Sequence, residues 1–372
     1  MRDSSSVRVL FVPVLLFLFC GSTPGQGKEA PLFKVGVEYR SLSVDKPYNW
    51  RDAKTHALLT AIWYPAAPES VEQPQLMGPA DRQLFDLGQA APKAALAWSP
   101  AKFPLIVLSH GTGGSALQMV WLGSVLAAHG YIAAAVDHPG NNAVEPYTAK
   151  GFSVWWERAR DLSTVIDSLL ADSAFGGRID PGRIGAAGFS LGGYTMIEIA
   201  GGITEPAAFT EFCKSPHADG ICKSPPEFPQ LLEEFDRLSK TDAEFQAALR
   251  HASDSYRDPR VRAVFAIAPA LGPAFRPATL ARIAIPVEIV AGANDANVPI
   301  ASSAQYFAAN IPQAKLTIFP GGVGHYVFLD TCTDRGKNSL PMLCQDAPGV
   351  DRNAIHAKAA GLALRFFASN LK

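Results

Sequence analysis

One serine in this chain lies between glycines at a predicted corner of the backbone. The segment GFSLGGY at 188–194 follows the apolar run RIGAAGF at 183–189 and continues into YTMIEIA at 194–200, a helix-forming run. A G-x-S-x-G pattern at a strand-to-helix turn is typical of the nucleophile elbow, a strained turn that exposes the serine hydroxyl. An ordinary turn with a capping serine would show the same letters. Whether Ser190 is a nucleophile therefore depends on partners elsewhere in the chain.

An acid and a base follow this serine in the order that hydrolases with such an elbow use. A serine hydroxyl needs a base to take its proton, and the base needs a third group to hold its tautomer. Asp295 comes just after the predicted strand PVEIVA at 286–291. His325 follows the next predicted strand, KLTIF at 315–319. Because each lies in a loop after its own strand, we predict Asp295 as the acid and His325 as the base.

Other histidines and acids suit these roles less well. His110 and His138 also follow predicted strands, but both precede the serine in the chain. His217 and His251 lie in a segment that interrupts the pattern of strands, and Asp330 follows the predicted base too closely to end a separate strand. None of them meets the order that the elbow requires.

Two backbone N–H groups are predicted to stabilise the negative charge that develops on a substrate carbonyl oxygen. One belongs to Leu191, the residue after the serine. The other belongs to Thr112 in the segment HGTGG at 110–114, which follows the predicted strand FPLIVLS at 103–109. The glycines let this backbone approach a ligand closely. A phosphate-binding loop is the alternative, but the segment lacks the lysine of a P-loop and the G-x-G-x-x-G of a dinucleotide site.

The predicted elements that must hold these residues alternate along the chain. With 48% hydrophobic and 18% charged residues, the composition of the 372-residue chain is that of a globular protein. Alternating strands and helices are typical of an α/β fold with a mostly parallel sheet covered on both faces. A Pro/Ala/Gln-rich stretch, about 65–100, predicts a long surface connection. Further apolar runs predict strands at 33–44, 57–64, 131–136 and 261–268 and helices at 119–126, 162–170 and 355–371.

A segment at about 203–258 interrupts this alternation. It lies on the side of the sheet where such folds bind ligands, so we predict an inserted lid or pocket wall; a surface excursion without a role is the alternative. The pattern TDAE at 241–244 fits a capping box and predicts the start of a helix. Three aromatic residues of the segment could form an acyl pocket or the core of the lid itself: Phe209, Phe212 and Phe228.

The N-terminus has the layout of a secretory signal peptide. Arginines flank a polar start, an apolar run at 9–19 is too short to span a bilayer comfortably, and small residues follow at 21–25. We expect cleavage near Gly27. This predicts a signal peptide at 1–27 and a catalytic domain at 28–372, secreted or periplasmic and without a membrane span in the mature chain. A retained membrane anchor is the alternative.

Removal of the signal peptide leaves four cysteines, an even number that suggests disulfides in an exported protein. Proximity favours the pairs Cys213–Cys222 and Cys332–Cys344, although two other pairings are formally possible. The C-x₈-C and C-x₁₁-C spacings do not match the ligand spacing of a zinc finger or zinc ribbon. The net charge of -1 and the lack of a Lys/Arg-dense run make nucleic acid a poor candidate partner.

Four segments together resemble the α/β-hydrolase superfamily over nearly all of the chain after the signal peptide. Within it they look like bacterial predicted dienelactone hydrolases, which are related to platelet-activating-factor acetylhydrolases and secreted carboxylesterases. The resemblance implies a triad of Ser190, Asp295 and His325, with neither a metal nor an organic cofactor. True dienelactone hydrolases carry cysteine in the elbow, so the serine favours simple ester hydrolysis. The segments are HGTGG at 110–114, DHPGN at 137–141, GFSLGGY at 188–194 and GANDANVP at 292–299.

These observations predict a secreted serine hydrolase that cleaves carboxylic esters through an acyl-enzyme intermediate. Its substrate would be a small-molecule or lipid-like ester. A peptidase or an acyltransferase on the same triad is one alternative. A non-catalytic binding protein with a hydrolase fold is another, but such proteins usually lose a triad member, and all three candidates are present here.

Overall fold

A computed structural model describes residues 32–44 and 46–372 of the chain. The predicted signal peptide at 1–27 lies outside the described residues. The strands form one mixed sheet in the order β10-β9-β8-β7-β5-β6-β2-β1-β4-β11, and β3 pairs with β4. In chain order the strands are β1 (Lys34–Leu42), β2 (Leu58–Ala66), β3 (Gln73–Met77), β4 (Phe85–Pro92), β5 (Phe103–Ser109), β6 (Ile132–Val136), β7 (Ile179–Phe189), β8 (Val261–Ile267), β9 (Val287–Gly292), β10 (Ala314–Phe319) and β11 (Thr331–Cys332).

Strands β5 to β10 are parallel, and this part of the sheet carries the predicted site. At its carboxyl edge Ser109 pairs with Gly188, and Phe189 pairs with Ile267. β1 and β2 join the sheet in the antiparallel sense. The structure therefore confirms the predicted α/β-hydrolase fold with a mostly parallel sheet.

Helices cover both faces of the sheet, because successive side chains of the central strands point to opposite sides and nearly all are apolar. In β5, Leu105 and Val107 pack beneath the helices at 157–171 and 191–200, while Ile106 and Leu108 pack beneath the helices at 120–128 and 352–370. The helices are α1 (Val120–Ala128), α2 (Ala149–Ser153), α3 (Glu157–Ala171), α4 (Leu191–Ala200), α5 (Pro206–Lys214), α6 (Leu231–Thr241), α7 (Ala243–Arg250), α8 (Pro277–Leu280), α9 (Ala304–Asn310), α10 (Asp334–Ser339), α11 (Pro341–Cys344) and α12 (Arg352–Asn370).

The stretch at 65–100 was predicted to be a surface connection, and that prediction is wrong. β3 and β4 form within it, and β4 extends the sheet by pairing with β1 and β11. Only Leu87, Ala90 and Ala91 of β4 are buried. A mostly exposed strand near the end of a sheet depends on its pairing partners, so its own composition carries little of the apolar pattern that predicts a strand.

The segment between α4 and β8 contains α5, α6 and α7. Helix α7 begins one residue later than the capping box predicts, because Thr241 still belongs to α6 and donates its hydroxyl to Arg237 O at 2.9 Å. Asp242 caps α7 instead, accepting from the N–H of Phe245 at 2.8 Å. An aspartate is as good an N-cap as a threonine, and here it also pairs with Lys150 at 2.9 Å.

Two disulfides form between the cysteines that lie close in the chain. Cys213 is joined to Cys222 with a Cα–Cα distance of 5.5 Å, and Cys332 to Cys344 with 5.7 Å. This is the pairing favoured from the spacing. Among the residues that the structure describes, no helix is both long enough and apolar enough to cross a membrane.

Candidate active site

Ser190 stands on a strained turn between β7 and α4. Its backbone has φ 58° and ψ −115°, a conformation that non-glycine residues rarely adopt. Hydrogen bonds hold it there: the Ser190 N–H donates to Ile267 O at 2.8 Å, and its carbonyl accepts from the N–H of Ala270 at 3.1 Å. A Cβ added at Gly188 would collide with the Gly192 carbonyl, and one added at Gly192 would collide with the Ser109 carbonyl. The glycines are therefore needed for the close approach of three backbone segments.

The structure brings Ser190, His325 and Asp295 into one hydrogen-bonded chain. His325 Nε2 lies 2.9 Å from Ser190 Oγ, and His325 Nδ1 lies 2.7 Å from Asp295 Oδ2. The second oxygen, Asp295 Oδ1, accepts from the N–H groups of Asn297 at 3.0 Å and Val298 at 2.8 Å. All three side chains are largely buried, with residue exposures of 6–8%. The aspartate can thus hold the imidazole with one proton on Nδ1 and a free lone pair toward the serine hydroxyl.

The two predicted N–H donors line the same cleft as this serine. Leu191 is the first residue of α4, where a backbone N–H has no helical partner. In the loop at 110–114, hereafter the oxyanion loop, the Gly111 N–H donates to Gln118 Oε1 at 2.8 Å and the Gly113 N–H to Asn141 Oδ1 at 2.7 Å. Within residues 32–44 and 46–372, the N–H groups of Thr112 and Leu191 have no hydrogen-bond acceptor. Both are thus available to a ligand.

The cleft around the serine has a volume of about 730 Å³ and mostly apolar walls. One wall comes from the segment at 203–258, including Cys222, so the disulfide to Cys213 ties this wall to α5. The other comes from β3, β4 and the chain after His325. The apolar residues that line the cleft include Met77, Phe85, Phe152, Trp155, Phe209, Ile221, Leu231, Leu271, Tyr326, Leu329 and Leu343.

Of the three aromatic residues that the sequence analysis singled out, one lies in the cleft and two pack elsewhere. Phe209 lines the cleft, with its ring 5.6 Å from that of Trp155. Phe228 packs on Phe152 at 5.2 Å between ring centroids. Phe212 lines a separate shallow depression on the surface. Only the first of the three predicted residues is part of the cleft wall.

A carboxylate in the cleft was missed from the sequence. Glu227 lies beside the oxyanion loop, so near that a Cβ added at Gly113 would come within 3.1 Å of its Cγ. Burial raises the pKa of Glu227. No motif marks this residue, since it belongs to an insertion whose path over the cleft depends on tertiary packing.

The sequence analysis considered His110 and His138 singly and did not identify the buried polar cluster that lies beneath the oxyanion loop. His138 Nε2 accepts from the Ser109 hydroxyl at 2.8 Å, and His138 Nδ1 donates to Asp161 Oδ2 at 2.7 Å. These three residues have the types and the hydrogen-bond order of a serine triad, but they are fully buried and do not line the cleft around Ser190. Burial lowers the pKa values of His110 and His138 well below the usual range, so both are neutral.

The remaining residues considered as competitors lie outside the hydrogen-bonded chain. His251 is exposed and pairs with Asp254 at 2.7 Å, and His217 lies at the shallow surface depression. Asp330 is buried in the cleft wall, where burial raises its pKa. No group of three or more His, Cys, Asp or Glu side chains able to hold a metal ion occurs in the described part of the chain.

Comparisons with known proteins place the chain in a family. A model of the "Alpha/beta hydrolase family" matches residues 106–335. A bis(hydroxyethyl) terephthalate hydrolase of Streptomyces coelicolor is 27% identical over 160 residues, which cover 42% of this chain and 46% of that protein. Cutinase est2 of Thermobifida alba is 32% identical over 97 residues, 26% of this chain and 29% of that one. The chain thus spans less than half the length of these relatives.

A solved structure is similar over a longer stretch. The ferulic acid esterase from Streptomyces cinnamoneus superposes with a TM-score of 0.63 and covers 92% of both chains. Its sequence is 21% identical to this one. The likeness therefore concerns the fold.

Proposed function

This chain belongs to the alpha/beta hydrolase family, and from that premise we propose that it is a serine hydrolase of carboxylic esters. The observation that carries the proposal is the chain of hydrogen bonds from Ser190 through His325 to Asp295, next to two unpaired N–H groups in an apolar cleft. Nucleophile, base, orienting acid and oxyanion donors are the parts that acyl transfer needs.

In the proposed reaction Ser190 Oγ attacks the ester carbonyl carbon while its proton passes to His325 Nε2. The N–H groups of Thr112 and Leu191 hold the oxygen that becomes negative, and Asp295 stabilises the imidazolium without taking its proton. The intermediate collapses as the imidazolium protonates the leaving alcohol. Water, deprotonated by the same imidazole, then attacks the acyl-enzyme and releases the carboxylic acid.

The cleft supports an ester with apolar groups on either side of the reacting carbonyl. Its volume of about 730 Å³ and its two apolar walls suit a small-molecule or lipid-like substrate. Partial relatives are named as hydrolases of bis(hydroxyethyl) terephthalate and as cutinases. Aryl and medium-length alkyl esters are accordingly the first substrates to consider.

The same proposal includes export and a lid. Two disulfides accord with an oxidising compartment, so we place the mature chain outside the cytoplasm, secreted or periplasmic, after removal of a signal peptide at 1–27. The catalytic domain then occupies 28–372. The segment at 203–258, which supplies one wall of the cleft, acts as its lid.

The test is hydrolysis of p-nitrophenyl esters from acetate to palmitate by the wild type and by Ser190→Ala. We expect the variant to lose at least about 10⁴-fold in kcat, as loss of a nucleophile does in serine hydrolases. Ser369→Ala on α12, an exposed serine far along the chain, is the control and should keep full activity. Equal rates in wild type and Ser190→Ala would refute the proposal; amide and acyl-transfer substrates would then be assayed.

A further inference from the structure

The oxyanion loop is held from below by two buried side chains that the proposed mechanism does not use. Asn141 Oδ1 accepts the Gly113 N–H at 2.7 Å, and its Nδ2 donates to Gly151 O at 3.3 Å. The amide therefore connects the loop to Gly151 in the middle of α2. Its residue exposure is 1%, so the Asn141 amide is shielded from bulk water.

Arg158, from α3, holds the other end of the loop. Its guanidinium donates to the carbonyl of His110, and also contacts Ser109 Oγ at 3.3 Å and Asn141 Oδ1 at 3.5 Å. Among the described residues no carboxylate lies within ion-pair distance of this group. Burial lowers the pKa of Arg158 to about 9.

A buried guanidinium without an ion-pair partner is costly, and packing alone would be served better by an apolar side chain. Arg158 and Asn141 both bind the backbone of the oxyanion loop. One binds the carbonyl at the first residue of the oxyanion loop, and the other binds the N–H at the fourth. Gly113 has φ +61°, so the loop turns sharply at this point and would have little stiffness of its own.

We propose that Asn141 and Arg158 are positioning residues that align the Thr112 N–H with the developing oxyanion. By holding the His110 carbonyl and the Gly113 N–H on the buried side, they leave the intervening Thr112 N–H directed to the cleft. The proposal rests on the function proposed above, because it assigns a role within that reaction. Since the alignment matters most when the oxygen carries charge, it acts on kcat more than on KM.

The test compares two neighbouring asparagines, Asn141→Ala and Asn142→Ala. Asn142 is buried to a similar extent, but its amide binds His138 O and Glu145 Oε1 and, among the described residues, makes no hydrogen bond to the oxyanion loop. Complete loss of an oxyanion donor costs about 10²–10³-fold in kcat, so a misaligned donor should cost about 10–100-fold. We expect Asn141→Ala to lower kcat by that factor with KM within about threefold, and Asn142→Ala to retain the wild-type kcat.

Two further measurements separate positioning from a general loss of structure. Binding of a trifluoromethyl ketone, which forms a tetrahedral oxyanion on the serine, should weaken in Asn141→Ala by the same factor as kcat. Asn141→Asp keeps an oxygen acceptor for the Gly113 N–H and should recover most of the lost kcat. Circular dichroism and melting curves of all variants establish that folded proteins are compared.

Should Asn141→Ala fail to fold, Arg158→Lys provides the same test, since it keeps a buried cation but loses the fork that spans His110 O and Asn141 Oδ1. An unchanged kcat in a folded Asn141→Ala or Arg158→Lys overturns the proposal, as does an equal loss in the Asn142→Ala control. Failure of the esterase proposal itself would look different, because the wild type would then be inactive or Ser190→Ala active.

Discussion

Replacing Asp295 by asparagine tests whether this carboxylate orients His325. The two side chains have nearly the same shape, and the asparagine Oδ1 can still accept from the N–H groups of Asn297 and Val298, which now lie 3.0 and 2.8 Å from the carboxylate oxygen. Only the atom facing His325 Nδ1 at 2.7 Å changes from an acceptor to an N–H donor. The imidazole must then carry its proton on Nε2, where it can no longer accept the proton of Ser190.

The expected loss is large for so small a change. A wrong tautomer in a serine triad lowers kcat by about 10⁴-fold, which corresponds to about 5 kcal/mol of activation free energy. Stability should change little, because the loop keeps its hydrogen bonds. Asp295→Ala provides the contrast: it removes the acceptor of the buried Val298 N–H, at a cost of about 1–3 kcal/mol, whereas the N–H of the exposed Asn297 can turn to water.

The assay is the p-nitrophenyl ester hydrolysis used for Ser190→Ala, with urea unfolding of each variant. We expect Asp295→Asn to be nearly inactive with a wild-type unfolding midpoint, and Asp295→Ala to be inactive and less stable. An Asp295→Asn variant that retained more than about a tenth of the activity would refute the reasoning, since a carboxylate that sets the tautomer cannot be replaced by an amide.

Two further predictions concern stability. Burial lowers the pKa of His356 from 6.5 to about 4. Between these pH values the histidine is protonated in the unfolded chain but neutral in the folded protein, so the folded protein loses stability as the pH falls. Between pH 6.5 and pH 4 the free energy of unfolding of the wild type should therefore fall by about 3 kcal/mol more than that of His356→Gln, measured by urea unfolding. Identical pH profiles would contradict a buried neutral imidazole. In Gly192→Ala the new Cβ would meet the Ser109 carbonyl, which should lower the free energy of unfolding by about 1–3 kcal/mol and abolish most of the activity. In the control Gly177→Ala the new Cβ meets nothing within 4 Å, so stability and activity should not change. Equal melting temperatures of the two variants would refute the packing argument.

Much of the fold could be predicted because its signals are local. The central strands are continuous apolar runs, since both of their faces are covered, and RIGAAGF and FPLIVLS were placed correctly for that reason. The elbow is likewise local, because the glycines around Ser190 are required by backbone contacts within one turn and its neighbouring strand. The close cysteine pairs needed only their spacing.

The strands near the end of the sheet could not be predicted in this way. β3 and β4 lie in a stretch rich in proline, alanine and glutamine, and few of their side chains are buried. Their conformation depends on pairing with β1 and with β11, which lies more than 200 residues further along the chain. A pairing at that distance leaves no periodic pattern in a short window of sequence.

Chain order and strand ends were enough to name Ser190, Asp295 and His325 as candidates, because parallel strands bring their carboxyl ends to one edge of the sheet. The distances of 2.9 and 2.7 Å between them, by contrast, come from the tertiary structure alone. The same holds for Asn141 and Arg158, whose contacts with the oxyanion loop join three segments far apart in sequence. Apolar periodicity and the glycines of a tight turn can be recognised in short segments, whereas the meeting of side chains from distant segments is decided only when the helices pack on the sheet.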